Sequence, residues 1–189
     1  MIPPRSAAEA AQAIADRLEG AGHPYAIGGA LALAVAGVPR GTADVDLNVF
    51  VDGPAVAAVA RLLLDMGMVL DVAASVAEAE RDGMFAARWD GMRIDVFVPS
   101  IPFSVEAGRT RVRVTADGWS GWFLAPEAIA VFKLLFFRGK DVVDLERLVA
   151  VRGSDLDHAY VRRWIVDMMG EGDERVARWD DLVARFSAG

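Results

Sequence analysis

Asp44 and Asp46 stand two residues apart at the head of a valine-rich stretch, Val45 to Val51. A third aspartate, Asp95, lies inside the apolar run Arg93-Ile94-Asp95-Val96-Phe97-Val98. The valine-rich composition predicts a strand, whose side chains alternate between faces, so the first two carboxylates leave the same face and can converge. Two carboxylates at the edge of a core repel each other unless a cation lies between them. Oxygen donors with room for water suit magnesium, with manganese as the alternative ion. A lone charge within a second apolar strand is costly to hold; if that strand neighbours the first, the third carboxylate joins the pair. Such a site suits phosphoryl transfer, in which metal ions clamp the nucleotide phosphates and the attacking oxygen while a carboxylate takes up a proton. A single aspartate after Gly41-Thr42 would read as a turn cap; the pair together with Asp95 does not.

Tyr25-Ala26-Ile27 predicts a short strand running into Gly28-Gly29, and Leu31 to Ala36 follows with helix-forming residues. A strand, a glycine turn and a helix start present bare backbone N–H groups to phosphate oxygens. Taken alone, a glycine pair before an alanine-rich helix is more often a tight turn against a core. A third motif lies further on. The only two lysines of the chain, Lys133 and Lys140, fall in Lys133-Leu134-Leu135-Phe136-Phe137-Arg138-Gly139-Lys140-Asp141-Val142-Val143-Asp144. In a chain that otherwise writes its positive charge as arginine, a compact ammonium meets a need that a guanidinium does not. Lys133 is surrounded by apolar residues and either snorkels to the surface or faces a cleft. Asp141 reads as a helix cap, with Asp144 one turn on. Arg138 pairs with an acidic neighbour or contacts substrate.

Ile27-Gly28-Gly29, then Arg40-Gly41-Thr42-Ala43-Asp44-Val45-Asp46-Leu47, then the lysine, arginine and paired aspartates of 133–144 resemble the nucleotidyltransferase superfamily of DNA polymerase β. Within it the chain is similar to the AbiEii-like branch, which includes toxins of toxin–antitoxin and abortive-infection systems. The likeness runs from about Tyr25 to Leu148. It implies an α+β fold: a small mixed β-sheet nucleotidyltransferase core at 1–125, flanked by helices, and a C-terminal helical portion at 126–189 packed on it. It implies transfer of a nucleoside monophosphate from a nucleoside triphosphate such as ATP to an acceptor hydroxyl, with release of pyrophosphate. Asp44, Asp46 and Asp95 would hold the metal, and Asp95 would also act as base. Gly28, Gly29, Arg40, Thr42, Lys133 and Arg138 would meet the nucleotide, and Asp141 would support the site. The implied acceptor is a tRNA or a protein, with a cognate antitoxin as partner; an antibiotic-type small molecule is the alternative. A non-catalytic nucleotide- or protein-binding module is the rival from another class. Many superfamily members carry serine where Gly29 stands, so phosphate contact here falls to backbone amides and Thr42.

The elements that must position these residues follow from periodicity. Ser6, with Glu9 three residues on, opens a helix to Gly20. Pro54 to Gly67 predicts a crossover helix, Met68 to Leu70 a short strand, and Met84–Trp89 with Met92–Val98 a hairpin turning at Asp90-Gly91. Arg111 to Thr115 predicts a further strand, and alternation over Arg109, Arg111 and Arg113 puts three guanidinium groups on one face. Trp119 and Trp122 read as apolar loop residues of the core. Helices are expected over Glu127–Arg138, Val142–Arg152, after Ser154, and over Asp173–Phe186, so the chain passes from a mixed sheet to helices.

The 189 residues are enough for one catalytic domain with a substantial core. An apolar fraction of 54% is high, yet no charge-free run reaches the roughly 20 residues that span a bilayer. The start of the chain does not read as a signal peptide, and the expected compartment is the cytoplasm, without membrane association. With no cysteine and two separated histidines, thiolate zinc sites are excluded and oxygen ligands remain. A net charge of −7 argues against a surface that grips nucleic acid throughout, leaving only a local patch.

Overall fold

The computed structural model describes residues 6–116 and 118–187. Chain order is α1 (Ala7–Gly20), β1 (Tyr25–Ile27), α2 (Gly29–Val35), β2 (Val45–Val49), α3 (Gly53–Asp65), α4 (Val72–Asp82), β3 (Met84–Trp89), β4 (Met92–Phe97), α5 (Pro102–Thr110), β5 (Val112–Ala116), β6 (Trp119–Phe123), α6 (Pro126–Phe136), α7 (Gly139–Arg152), α8 (His158–Met169) and α9 (Glu174–Ser187). The chain forms two compact units. One comprises the residues up to Leu31 with Gly41–Leu124; the other comprises Ala32–Arg40 with the residues from Ala125 onward.

The first unit is built on a six-stranded mixed sheet in the order β3-β4-β2-β1-β6-β5. β2 is antiparallel to β1 and parallel to β4, which closes an antiparallel hairpin with β3. The two-residue turn of that hairpin holds Asp90 at φ 48° and Gly91 at φ 84°, the pair of positive angles that a right-twisted hairpin favours. One face is apolar: Tyr25, Ile27, Val45, Leu47, Val49, Ile94, Val96, Phe85 and Ala87 are all at most 1% exposed. α1 packs on β1, β2 and β6, through Ala7, Ala10, Ala11, Ile14, Ala15 and Leu18, a stripe at helical spacing. The Ser6 hydroxyl accepts the Glu9 N–H at 3.2 Å, the expected cap. Since side chains alternate, the opposite face carries Asp46, Asn48, Arg93, Asp95 and Arg88.

Several local expectations are corrected. Arg109 does not lie on a strand: Pro102 opens α5, Arg109 sits in its last turn, Arg111 follows its end, and only Arg113 belongs to β5. The three guanidinium groups therefore share no strand face. The helix wins because proline presets the first-turn φ and because bare Gly108 admits the Phe50 ring, which a Cβ would meet at 2.8 Å. Trp119 and Trp122 lie on β6 and are half-buried rather than core residues. The Trp119 ring lies across Gly121, where a Cβ would come within 2.1 Å of it. Val69 makes a single bridge to Arg88, so Met68–Leu70 is not a full strand. α4 has no counterpart in the expected elements; it buries only Ser75 and Ala79, too thin a stripe to stand out, although Asp71 caps it at 2.7 Å.

The second unit is helical in its C-terminal part. α6 packs against α7 and α8, and α9 against α7 and α8. Leu134, Leu145, Leu148, Val149, Val161, Ile165, Trp179 and Leu182 form its core. α7 begins at Gly139, three residues before the expected start at Val142, which places Asp141 in its first turn rather than ahead of it. Among the described residues no helix is long and apolar enough to cross a membrane.

Candidate active site

Parallel pairing of β2 and β4 sets Asp46 opposite Asp95, with Val45 opposite Ile94 and Leu47 opposite Val96. The flanking residues point into the core, so the two carboxylates leave the other face from neighbouring strands, whose backbones run about 5 Å apart. The Asp95 side chain is 19% exposed, and Asp46 is half-buried. Asp44 stands exposed just ahead of β2. Its position is fixed by Thr42, whose Oγ1 accepts the Asp44 N–H at 3.2 Å and donates to the Asp44 carbonyl at 3.0 Å. The Thr42 hydroxyl thus shapes the turn that delivers the first carboxylate.

The glycine pair meets this acidic group directly. Gly28 N–H donates to the Asp46 carbonyl at 2.8 Å, extending the β1–β2 ladder by one step. Gly29 has φ +53°, and a Cβ there would fall 1.8 Å from Asp46 Oδ2 and 2.5 Å from its Cγ. The Asp46 carboxylate therefore lies against the bare α-carbon of Gly29. A serine at this position would displace it, which accounts for the glycine in physical terms. Gly29→Ala should cost about 1–3 kcal/mol from the positive φ and the overlap and weaken metal binding at least tenfold. Urea unfolding and manganese titration of the variant would check both, and wild-type values would refute the close approach.

Asp46 and Asp95 offer an all-oxygen donor set with solvent access. Among the described residues no group of three or more His, Cys, Asp or Glu side chains is assembled as a metal site. This donor set still fits magnesium or manganese, because magnesium typically takes one or two carboxylates, keeps several waters, and completes its shell with substrate phosphates. Asp44, expected as a third donor, stands exposed ahead of β2 and is not gathered with the other two into a three-carboxylate group.

The later motif assembles a second cluster, within the helical unit. Lys133 extends from α6 to α7, with Nζ 2.6 Å from Asp144 Oδ2 and 3.3 Å from Asp141 Oδ1. All three residues are buried, at 7%, 3% and 2% exposure. Arg138 donates to Asp141 Oδ2 at 2.6 Å through Nε and at 3.2 Å through its backbone N–H. Arg40 Nε stands 3.4 Å from Asp144 Oδ2. Three cations thus surround two buried carboxylates, and the spacing of the motif is the spacing that lets one turn of chain close this network. Burial pushes the Asp141 carboxyl up, but the Arg138 hydrogen bond and the nearby charges of Lys133 and Arg138 outweigh it and hold the group below its usual value of 3.8. A depressed carboxyl stabilises the fold above its unfolded pKa, and that contribution is lost as pH falls below about 3.8 toward the lower native value. Acid unfolding of Asp141→Asn should therefore show a shallower loss of stability below pH 4 than wild type; an identical acid limb would contradict the assignment.

The structure places the predicted residues in two groups: Gly28, Gly29, Thr42, Asp44, Asp46 and Asp95 in the first unit, and Arg40, Lys133, Arg138 and Asp141 in the second. Asp144 joins the latter as the nearer partner of Lys133. Asn48 was not anticipated. It is 9% exposed, lies two residues beyond Asp46 on the same face, and has its Nδ2 where a Gly28 Cβ would come within 2.7 Å. Strand alternation from Asp46 was the available signal. Arg93, likewise unanticipated, binds Asp95 Oδ1 through Nε at 2.8 Å.

No family model matches the chain, and no curated protein matches it. Among solved structures, the chain is similar to ANT(2")-Ia in complex with adenylyl-2"-tobramycin, with a TM-score of 0.59 and 14% identity over 95% of this chain and 98% of that one. A solution structure of the antibiotic-resistance factor ANT(2'')-Ia aligns with a TM-score of 0.56 and 13% identity, over 93% of this chain and 88% of that one. An antigenic nucleotidyltransferase-like protein from Paracoccidioides brasiliensis aligns with a TM-score of 0.52 and 16% identity, over 94% of each chain. The chain has the nucleotidyltransferase fold, α+β with a mixed sheet and a helical C-terminal part.

Proposed function

We propose that the protein is a metal-dependent nucleotidyltransferase that moves a nucleoside monophosphate from a nucleoside triphosphate to an acceptor hydroxyl. The observation that carries this is the register pairing of Asp46 with Asp95, with Asp46 seated against Gly29, in a chain of nucleotidyltransferase fold. The acceptor oxygen attacks the α-phosphorus, the bond to the bridging oxygen breaks, and pyrophosphate leaves. Asp95 receives the hydroxyl proton. Asp44, Asp46 and Asp95 would hold magnesium or manganese, which supplies charge neutralisation for the phosphates and the attacking oxygen. Gly28 and Gly29 are assigned to the nucleotide phosphates as the resemblance implies, and their bare α-carbons admit Asn48 and the Asp46 carboxylate. Lys133, Arg138 and Asp141, from the motif at 133–144, and Arg40, from the motif at 40–47, are assigned to the nucleotide as the resemblance implies.

The acceptor we favour is macromolecular, a tRNA or a protein, which fits a toxin with a cognate antitoxin acting in the cytoplasm. A second acceptor class is favoured by the likeness to ANT(2")-Ia, whose complex contains an adenylylated tobramycin. In that case the acceptor is a small antibiotic-type molecule. Thermal unfolding with each of the four ribonucleoside triphosphates, with and without magnesium, tests the nucleotide site. A ligand at a hundredfold excess over its dissociation constant stabilises the native state by about 2.7 kcal/mol. A magnesium-dependent rise with one or more triphosphates is expected; no rise with any of them would favour the non-catalytic module.

A further inference from the structure

Asp95 already has a cationic partner. Arg93, two residues earlier on β4, leaves the same face of the strand, and its Nε binds Asp95 Oδ1 at 2.8 Å. The Arg93 side chain is 46% exposed, so the guanidinium sits at the solvent edge of the face that carries the acidic pair. Contact through Nε leaves the two terminal nitrogens for other acceptors, the fork geometry that suits phosphate oxygens. Register also puts Arg88 of β3 directly opposite Arg93. Arg88 is itself exposed, and its Nη1 donates to the Gly91 carbonyl at 3.3 Å. Like charges directly across a strand pair repel, which biases Arg93 toward Asp95, two residues along its own strand.

A guanidinium on Asp95 and a divalent cation on Asp95 compete for one carboxylate. An exposed ion pair is weak enough to be exchanged, and a triphosphate brings oxygens to which Arg93 can turn. We propose that Arg93 is a transferable counter-ion: it neutralises Asp95 while the site is empty and passes to a phosphate group of the substrate as the metal takes the carboxylate. Metal loading is thereby coupled to arrival of the triphosphate. This rests on the nucleotidyl-transfer assignment above, and Arg93 acts in it as a positioning residue.

The distinguishing feature is a pair of effects of opposite sign. Arg93→Ala should tighten binding of manganese alone, read by electron paramagnetic resonance of the free ion, by about threefold. The same variant should weaken binding of magnesium tripolyphosphate, read by calorimetry, about tenfold. Arg93→Lys, which keeps the charge, should return both affinities toward wild type, and thermal unfolding of each variant without ligand confirms that the fold stands. Both affinities moving in one direction, or neither moving, in a folded Arg93→Ala overturns the transfer of the counter-ion while leaving the metal site intact. A wild-type protein that takes up neither manganese nor magnesium tripolyphosphate would overturn the site assignment itself, and the proposal with it.

Discussion

Asp46→Asn is expected to abolish magnesium-dependent binding of nucleoside triphosphate and to reduce transfer on the order of a thousandfold, with the fold left standing. Asparagine keeps the shape of aspartate, so the contact with the bare α-carbon of Gly29 survives. The backbone ladder survives as well, because Gly28 bonds the Asp46 main-chain carbonyl rather than the side chain. What is lost is one negative charge at the centre of the donor set, opposite Asp95. Charge neutralisation by a bound metal is worth several kcal/mol to the transition state of phosphoryl transfer, and each 1.4 kcal/mol is about a factor of ten in rate. Differential thermal unfolding with and without magnesium triphosphate separates this loss from misfolding. A variant that binds and transfers like wild type would remove Asp46 from the chemistry.

The largest effect on stability is expected at Lys133. Its ammonium lies between two carboxylates that are 2% and 3% exposed, and it is the nearest cation to Asp144, at 2.6 Å against 3.4 Å for Arg40. Removing one partner of a buried ion pair costs about 3–5 kcal/mol, and here it leaves Asp144 with the more distant, partly exposed Arg40 at 3.4 Å. Lys133→Met should therefore lower the melting temperature by roughly 6–20 °C in a chain of this size. Lys133→Met with Asp144→Asn should recover a large part of the loss, because the buried charge left with only its weaker partner Arg40 is gone. An equally unstable double variant would place the loss in packing rather than in charge. This prediction is independent of the nucleotide and tests the physical role of the third motif by itself.

What was legible in the sequence was the part fixed by local rules. The valine-rich strand from Val45, the Asp90-Gly91 turn and the Ser6 cap each follow from a few neighbouring residues, and the structure has the strand β2, the hairpin and the capped helix α1, with Asp44 just ahead of β2 rather than in it. The pairing of Asp46 with Asp95 is a different kind of fact. Parallel neighbours need a long crossover, here α3, α4 and β3, and nothing in residues 45–49 specifies which later strand will lie beside them. The seat of Asp46 on Gly29 was equally out of reach, since a glycine pair reads the same whether its open side faces a phosphate or a carboxylate. Arg109 to Arg113 was misread because alternation counts side chains without asking where a helix stops, and Pro102 carries α5 into that segment. Lys133 lay between two readings because an isolated lysine in an apolar helix has no visible partner until α7 folds back and brings Asp141 and Asp144 to it.

The most direct test of the central claim is transfer itself. The purified protein would be incubated with α-labelled nucleoside triphosphates and magnesium, in turn with total RNA, with cellular protein and with a panel of aminoglycosides, following both the label and pyrophosphate. The predicted result is magnesium-dependent transfer of label to one acceptor class, with one pyrophosphate released per label incorporated and none in Asp46→Asn. Triphosphate that binds in a magnesium-dependent manner and is recovered intact with every acceptor would contradict catalysis and leave a nucleotide-binding module in its place.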